Sequence, residues 1–147
     1  MPTEHPAAGR RADYRHFMPL QTRWMDNDAY GHVNNVIFYA YFDTLLTRFL
    51  IDAGQLDVHA ATVIGVAVES ACRFRKSFAF PETIDGGLRV GRLGTSSVRY
   101  EIGLFGERED QARAEGHFVH VFVERSTQRP TPMPPKIRAA LEKILVR

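Results

Sequence analysis

A helix with an unusually wide apolar face is the feature that most constrains the fold of this chain. Large apolar residues recur there at the three- and four-residue spacing of a helix: Phe38, Phe42, Leu45, Leu46, Phe49 and Leu50. Asn34 or Asn35 can cap the start of the helix, and Gly54 provides a natural stop. Such a face is stable in water only when a large apolar surface covers it, so the rest of the chain must supply that cover.

The cover is predicted to be a β-sheet, because polar and apolar residues alternate with a period of two in several later segments. The alternation is clearest from Val66 to Phe74 and from Val98 to Leu104. Other predicted elements are strands over 15–25, 88–93 and 116–124, a Gly86–Gly87 turn and a terminal helix over 135–146. Consecutive strands after one helix argue for an α+β fold, not for alternating βαβ units. We therefore predict a curved antiparallel sheet that wraps around a long central helix.

The size and composition of the chain set its broad class. A chain of 147 residues can bury one hydrophobic core, so we assign residues 1–13 to a flexible N-terminal tail and residues 14–147 to a single domain. No apolar run approaches the roughly 20 residues of a membrane-spanning helix, so no membrane partner is expected. The net charge of +2 comes from Lys and Arg spread along the chain, which argues against nucleic-acid binding.

The cysteine and histidine content argues against disulfides and metal sites. Cys72 is the single cysteine, so no internal disulfide can form and a cytoplasmic location is expected. Cys72 alternates with apolar neighbours, which is typical of packing and not of a nucleophile. His117 and His120 fall on opposite faces of one predicted strand and cannot readily share a metal ion. We therefore predict no bound metal.

The segment RWMDNDAYGHVNNVIFYAYFD, residues 23–43, joins a polar, turn-prone loop to the start of the apolar helix. Attack on a carbonyl group needs an oxygen nucleophile and a group that stabilises the oxyanion that forms. The Asp28 carboxylate can supply the first, and unpaired N–H groups at the helix start can supply the second. Local features alone favour a turn or N-cap role for Asp28, and a turn-stabilising role for Asp26.

This segment also resembles the 4-hydroxybenzoyl-CoA thioesterase family of hotdog enzymes. These enzymes carry an Asp-x-Asp-x-x-Gly segment before the central helix, which is DNDAYG at residues 26–31 of this chain. Residues 32–35, HVNN, resemble the His-Val-Asn-Asn stretch of plant acyl-carrier-protein thioesterases. The resemblance implies that Asp28 is the catalytic aspartate and that the backbone N–H of Asn35 polarises the thioester carbonyl. His32 is a further catalytic candidate, and fixing the loop through the backbone is its alternative role.

What the resemblance implies for function is a hotdog acyl-CoA thioesterase that uses water as the acyl acceptor and needs no cofactor. Asp28 would act as nucleophile or as general base, and aromatic, short and long acyl groups all fit the sequence. The resemblance further implies a homodimer or homotetramer with active sites between protomers. A physical argument agrees, because one sheet around one helix leaves a sheet edge and a helix side uncovered.

Residues predicted to contact the substrate lie in the motif and in the strand after the helix. Gly31 permits close backbone approach by the substrate or by a neighbouring chain. The remaining candidates are Tyr30, Phe38 and Tyr39 for the acyl pocket and Arg73, Arg75 and Lys76 for the phosphates of CoA. A solvated strand edge is the alternative explanation for any one of the three basic residues.

Two other functions stay open at this point. Hotdog hydratases and dehydratases act on acyl thioesters, but they commonly depend on a His with an Asp or Glu. Non-catalytic hotdog sensors bind acyl-CoA, but they usually carry a DNA-binding segment for which 147 residues leave no room. Hydration of crotonyl-CoA would indicate the first class, and binding without turnover the second.

Overall fold

The apolar helix predicted from the sequence lies against one face of a five-stranded antiparallel sheet. The computed structural model describes residues 7–146. Its main elements are β1 (His16–Gln21), α1 (Ile37–Asp52), β2 (Val63–Phe74), β3 (Thr83–Leu93), β4 (Ser97–Gly106), β5 (Ala114–Glu124) and α2 (Pro135–Glu142). The strand order across the sheet is β1-β3-β4-β5-β2, and every neighbouring pair is antiparallel. The predicted α+β hotdog architecture is confirmed.

The core forms between α1 and the concave face of the sheet. Phe42, Leu45 and Leu46 of α1 are almost fully buried, because the sheet curves around that side of the helix. Ile84 and Ile102, on the two strands nearest the middle of the sheet, are completely buried in the same cluster. Burial of one such side chain contributes roughly 1.5–3 kcal/mol, so the apolar periodicity of α1 largely decides this packing.

The predicted turn at Gly86–Gly87 is wrong, because both glycines lie inside β3. A Cβ at Gly87 would lie 3.0 Å from the rings of Tyr14 and Phe17, which pack over this point on the convex face. The two glycines therefore serve close packing and not chain reversal. The terminal helix also ends earlier than predicted, at Glu142, and the chain beyond it pairs with Val90 of β3.

Part of the predicted N-terminal tail contacts the sheet. Residues 1–6 of that tail lie outside the described residues. Within the remainder, Arg11 forms an ion pair with Asp85 at 2.8 Å, and its guanidinium lies over the rings of Phe17 and Phe105. The backbone of Arg10 also bridges to Gln111. Residues 10–13 thus pack on the domain and do not extend away from it.

Strand β2 forms one edge of the sheet and is poorly covered. Val68 is 60% exposed and Phe74 is 47% exposed, and most other residues of the strand are also exposed. The sequence alternation predicted a strand here but not this exposure. The exposure of β2 follows from its position at the edge of the sheet, because α1 packs chiefly towards β1 and β3 and leaves the β2 side open. In the described part of the chain, neither helix has the length and apolarity needed to cross a membrane.

Candidate active site

The loop between β1 and α1 is anchored by the buried carboxylate of Asp26. Its oxygens accept hydrogen bonds from the Arg23 backbone N–H at 2.9 Å, the Arg23 guanidinium at 2.9 Å and the Tyr41 hydroxyl at 2.7 Å. Burial by itself would raise the pKa of Asp26, but the hydrogen bonds from Tyr41 and Arg23 outweigh it and hold that pKa below its usual value. Asp26 thus stabilises the loop structurally, as predicted.

Removal of this carboxylate is expected to destabilise the fold. We expect Asp26→Ala to lower the free energy of unfolding by roughly 1–3 kcal/mol for each of two donors that lose their acceptor, the buried Tyr41 hydroxyl and the Arg23 backbone N–H. The Arg23 guanidinium is exposed, so water replaces its partner. Tyr41→Phe removes one donor to a charged group and is expected to cost about 1.5–3 kcal/mol. Urea unfolding of the two variants and the wild type measures both differences.

The same contribution has a defined pH dependence. Because the pKa of folded Asp26 is lowered, its stabilising effect is complete above the unfolded value of about 3.9 and is lost as the pH falls through the folded value. The stability difference between wild type and Asp26→Ala should therefore be full at neutral pH and shrink below about pH 4. A difference that stays constant down to about pH 2 would contradict this account.

Asp28 follows two residues later and points its carboxylate into a cleft. Its Oδ1 accepts a hydrogen bond from the Tyr30 backbone N–H at 2.9 Å, and its Oδ2 lies 3.4 Å from the Asn34 side-chain amide. Its backbone N–H donates to the His32 carbonyl at 2.9 Å, which closes the loop. The cleft has a volume of about 360 Å³ and is lined by Asp28, Val33, Asn35, Phe38, Phe74, Arg75, Lys76 and Ser77.

The start of α1 presents one unpaired backbone donor beside this cleft. The N-cap residue is Val36, which lacks a capping side chain, and not Asn34 or Asn35 as predicted. Asn34 Oδ1 accepts the Val36 N–H at 3.0 Å just before the helix. The Asn34 carbonyl accepts the Ile37 N–H at 2.9 Å. Within residues 7–146, the N–H of Asn35 has no hydrogen-bond acceptor, and Asn35 lines the cleft. The positive end of the helix dipole adds to this donor, so the cleft joins a carboxylate to an electropositive helix start.

The other predicted residues of the loop lie outside the cleft lining. His32 is exposed, and its side chain has no hydrogen-bond partner among the described residues. Tyr30 is 87% exposed, and Gly31 has a φ of +82°, a conformation that favours glycine. The sequence analysis gave no role to Trp24 and Met25, which are 76% and 75% exposed on the same loop. Large apolar side chains exposed so close to a cleft are typical of a surface that another molecule covers.

The two aromatic candidates at the start of α1 have different surroundings. Phe38 lines the cleft and packs edge-on against Phe74 of β2, with ring centroids 5.0 Å apart. Tyr39 is not in the cleft lining; its ring packs against Phe42 and Phe118, at 6.0 Å and 5.8 Å. The sequence analysis missed Phe74 as a cleft residue because its contact with Phe38 depends on tertiary packing.

The three basic residues predicted to bind the CoA phosphates do not lie on one surface. Arg75 and Lys76 line the cleft, whereas Arg73 lies opposite Glu115 on the convex face of the sheet. Arg75 donates from Nε to Glu115 at 2.9 Å, and Lys76 Nζ lies 3.7 Å from a Glu109 oxygen. The cleft wall therefore carries positive charge at Arg75 and Lys76 but not at Arg73. The half-buried Cys72 belongs to packing, because burial raises the pKa of its thiol to about 11.

Comparison with known proteins supports this fold and indicates a family. The sequence profile of the thioesterase-like superfamily matches residues 22–141. The crystal structure of the PA5185 protein from Pseudomonas aeruginosa superposes with a TM-score of 0.92 at 51% identity, over 94% of this chain and 96% of that chain. The PA2801 protein of Pseudomonas aeruginosa, a proposed thioesterase, superposes with a TM-score of 0.78 at 32% identity, over 86% and 97% of the two chains.

A more distant structure shares the fold alone. The gentisyl-coenzyme A thioesterase BH1999 has a TM-score of 0.76 at 20% identity, over 86% of this chain and 99% of that chain. A search of curated proteins found no match. Since the family profile covers most of the chain and includes the loop, the cleft and the central helix, the chain belongs to the thioesterase-like superfamily.

Proposed function

We propose that this chain is an acyl-CoA thioesterase that hydrolyses its substrate to a free acid and CoA. The observation that carries the proposal is the shared cleft of the Asp28 carboxylate and the unpaired N–H of Asn35. A thioester carbonyl placed there would have an oxygen base or nucleophile on one side and an oxyanion donor on the other. The superfamily and the related thioesterase structures support the same reaction class.

Two chemical routes fit this arrangement. In the first, an Asp28 oxygen attacks the carbonyl carbon, expels the CoA thiolate and leaves a mixed anhydride that water then hydrolyses. In the second, Asp28 removes a proton from water, and the resulting hydroxide attacks the carbonyl. Both routes place negative charge on the carbonyl oxygen, which the Asn35 N–H and the helix dipole would stabilise. The proton ends on the thiolate or the buffer, so no cofactor is required.

The rest of the cleft suggests how the substrate would lie. Phe38 and Phe74 supply an apolar wall for the part of the substrate next to the thioester. Arg75 and Lys76 stand at the same cleft and can attract the phosphates of CoA, and Lys76 is well exposed to them. We propose that these two residues form the phosphate contacts on this protomer, with His32, Tyr30 and Gly31 on the loop beside the bound thioester.

The direct test is a thiol-release assay with short-chain, long-chain and aromatic acyl-CoA substrates. Hydrolysis is expected for at least one class, with free CoA and free acid formed in equal amounts. Binding of acyl-CoA without thiol release would overturn the proposal in favour of a sensor. Hydration of crotonyl-CoA without thiol release would place the chain among the hydratases.

We also propose that two copies pair through the free edge of β2. In the described part of the chain no strand lies beside that edge, and Val68 and Phe74 are largely exposed. Unprotected edges of this length favour pairing with another strand. Antiparallel pairing of two β2 strands would set the exposed loop residues Trp24, Met25 and Tyr30 near the partner and complete the cleft from the second copy.

Charge placed on this edge is expected to separate the copies. In the double variant Val68→Lys/Ala71→Lys, a two-fold pairing would bring four lysines together, and we expect at least about 100-fold weaker association. Light scattering over a concentration series measures the strength of this association. Val58→Lys, at another exposed apolar residue outside β2, is the matched control and should leave association unchanged. A double variant that associates as tightly as the wild type would rule out this edge.

A further inference from the structure

The concave face of the sheet is covered unevenly. On β5, Phe118 and Phe122 are buried, and Phe118 packs against α1. Directly opposite residues of an antiparallel pair share a face, so Ser70 and Gly65 of β2 lie on the concave side beside these two rings. Ala67 lies between them on the same side, and all three β2 residues are exposed. We call Gly65, Ala67 and Ser70 the small-residue strip.

The small-residue strip continues from the candidate active site. Phe74 lines the cleft, and Cys72 and then Ser70 follow it at two-residue intervals on the same face of β2. On the opposite side, Phe38 of α1 lines the cleft, and the ring of the next residue, Tyr39, contacts Phe118 of β5. A ligand that enters the cleft can therefore extend between α1 and the small-residue strip without leaving the protein surface.

A buried histidine faces this strip. His120 pairs with Ala67 across the two strands and is only 8% exposed. Neither of its ring nitrogens has a hydrogen-bond partner within residues 7–146, although its ring contacts Tyr100 and Phe118. Nδ1 lies 3.1 Å from the position that a Cβ would take at Gly65, so the absence of a side chain there leaves this nitrogen facing the strip.

The chemistry around His120 favours a neutral polar group. Burial lowers the pKa of His120, so its imidazole is neutral at neutral pH, while the charge of Asp43 on α1 acts in the opposite direction. The Asp43 carboxylate would repel an anionic ligand group at this place. The neighbouring Tyr100 hydroxyl is buried and has no hydrogen-bond partner among residues 7–146, which gives the His120 surroundings a second polar atom. A hydroxyl or keto group suits a neutral imidazole, because the two groups can form a hydrogen bond while both remain uncharged.

We propose that the small-residue strip holds the acyl chain and that His120 hydrogen-bonds a hydroxyl or keto group near the far end of that chain. The inference rests on the proposed thioesterase function and assigns its substrate class. Phe74, which lines the cleft, lies opposite Ala114 of β5. Six residue steps of β5 separate Ala114 from His120, so the path from the cleft to His120 is about 20 Å long. The favoured acyl group is therefore a long chain with a neutral polar substituent, and not a short or anionic one.

The test compares three substrates on the full chain: hexanoyl-CoA, hexadecanoyl-CoA and ω-hydroxyhexadecanoyl-CoA. For the wild type we expect kcat/KM to be about tenfold higher for the hydroxylated chain than for hexadecanoyl-CoA, the effect of one buried hydrogen bond. His120→Phe should abolish this preference by raising KM for the hydroxylated chain, with kcat for hexanoyl-CoA unchanged. Ala67→Leu narrows the strip and should impair both long chains about tenfold while sparing hexanoyl-CoA.

The outcomes separate this inference from the proposed function. Equal kcat/KM for the two long chains in the wild type would overturn the inference and leave the thioesterase function intact. An undiminished preference in His120→Phe, or full activity of Ala67→Leu on both long chains, would do the same. Hydrolysis of hexanoyl-CoA alone would overturn the assigned substrate class. Absence of hydrolysis with every acyl-CoA would overturn the function and the inference together. If His120→Phe does not fold, the activity of Ala67→Leu on the long chains still tests the inference.

Discussion

Asp28→Asn is expected to lower kcat/KM for acyl-CoA hydrolysis by about 100- to 10,000-fold. The amide keeps the oxygen that accepts the Tyr30 N–H, so the loop around the cleft should keep its shape. What the substitution removes is the negative charge and the basic oxygen. The side chain can then neither attack the carbonyl nor take a proton from water, and both proposed routes fail.

Two measurements and one control variant test the Asp28 prediction. Thiol release gives kcat and KM for wild type and Asp28→Asn, and thermal unfolding shows whether the variant keeps its fold. Asp52→Asn is the matched control, because Asp52 is an exposed aspartate at the far end of α1. Its variant should retain wild-type activity. An Asp28→Asn protein with wild-type turnover would remove Asp28 from the mechanism.

The parts of the site that could be predicted are close together in the sequence. Asp28 and Asn35 are joined by one short loop and one helix start, and local hydrogen bonds fix both. The helix itself follows from its apolar period, because a face that wide has no stable alternative to burial. The predicted cap at Asn34 or Asn35 was wrong by one or two residues, because the N-cap is Val36 and the Asn34 side chain binds the Val36 N–H before the helix begins.

The parts that could not be predicted depend on tertiary contacts. Phe74 and Ser77 reach the cleft from the end of β2, far from Asp28 in sequence. Arg73, Arg75 and Lys76 are close together in the sequence, which suggested one basic group. However, β2 ends at Phe74, and the Arg75 backbone N–H turns to the Arg113 carbonyl at 2.8 Å. Because the strand ends between them, Arg75 and Lys76 reach the cleft and Arg73 does not.

The exposure of β2 has a similar explanation. Alternation along the sequence predicts that one side of a strand is covered, but it does not say by what. Here α1 packs chiefly on β1 and β3 and reaches β5 at Phe118, so the concave face of β2 stays open and Ala67 and Ser70 are exposed. The sequence therefore predicted the strand correctly and left open which surfaces are free for an acyl chain or a second copy.

Asn35→Pro is the second large effect that we expect, a fall in kcat of about 100- to 1000-fold. Proline has no backbone N–H, so the substitution removes the one donor at the helix start that has no acceptor within residues 7–146. Position 35 lies two residues before Ile37, the first residue of α1, and its N–H makes no hydrogen bond within the described residues that proline would remove. The helix should therefore keep its start and lose only its oxyanion donor.

The comparison with Asn35→Ala isolates the backbone from the side chain. Alanine keeps the N–H and removes the amide side chain, so this variant should stay within a fewfold of wild-type kcat. For Asn35→Pro, kcat should fall while KM changes little, since the donor acts mainly on charge that develops in the transition state. Thermal unfolding must show both variants folded. Equal losses in the two variants would place the effect in the side chain, and wild-type kcat in a folded Asn35→Pro protein would mean that the oxyanion is stabilised elsewhere.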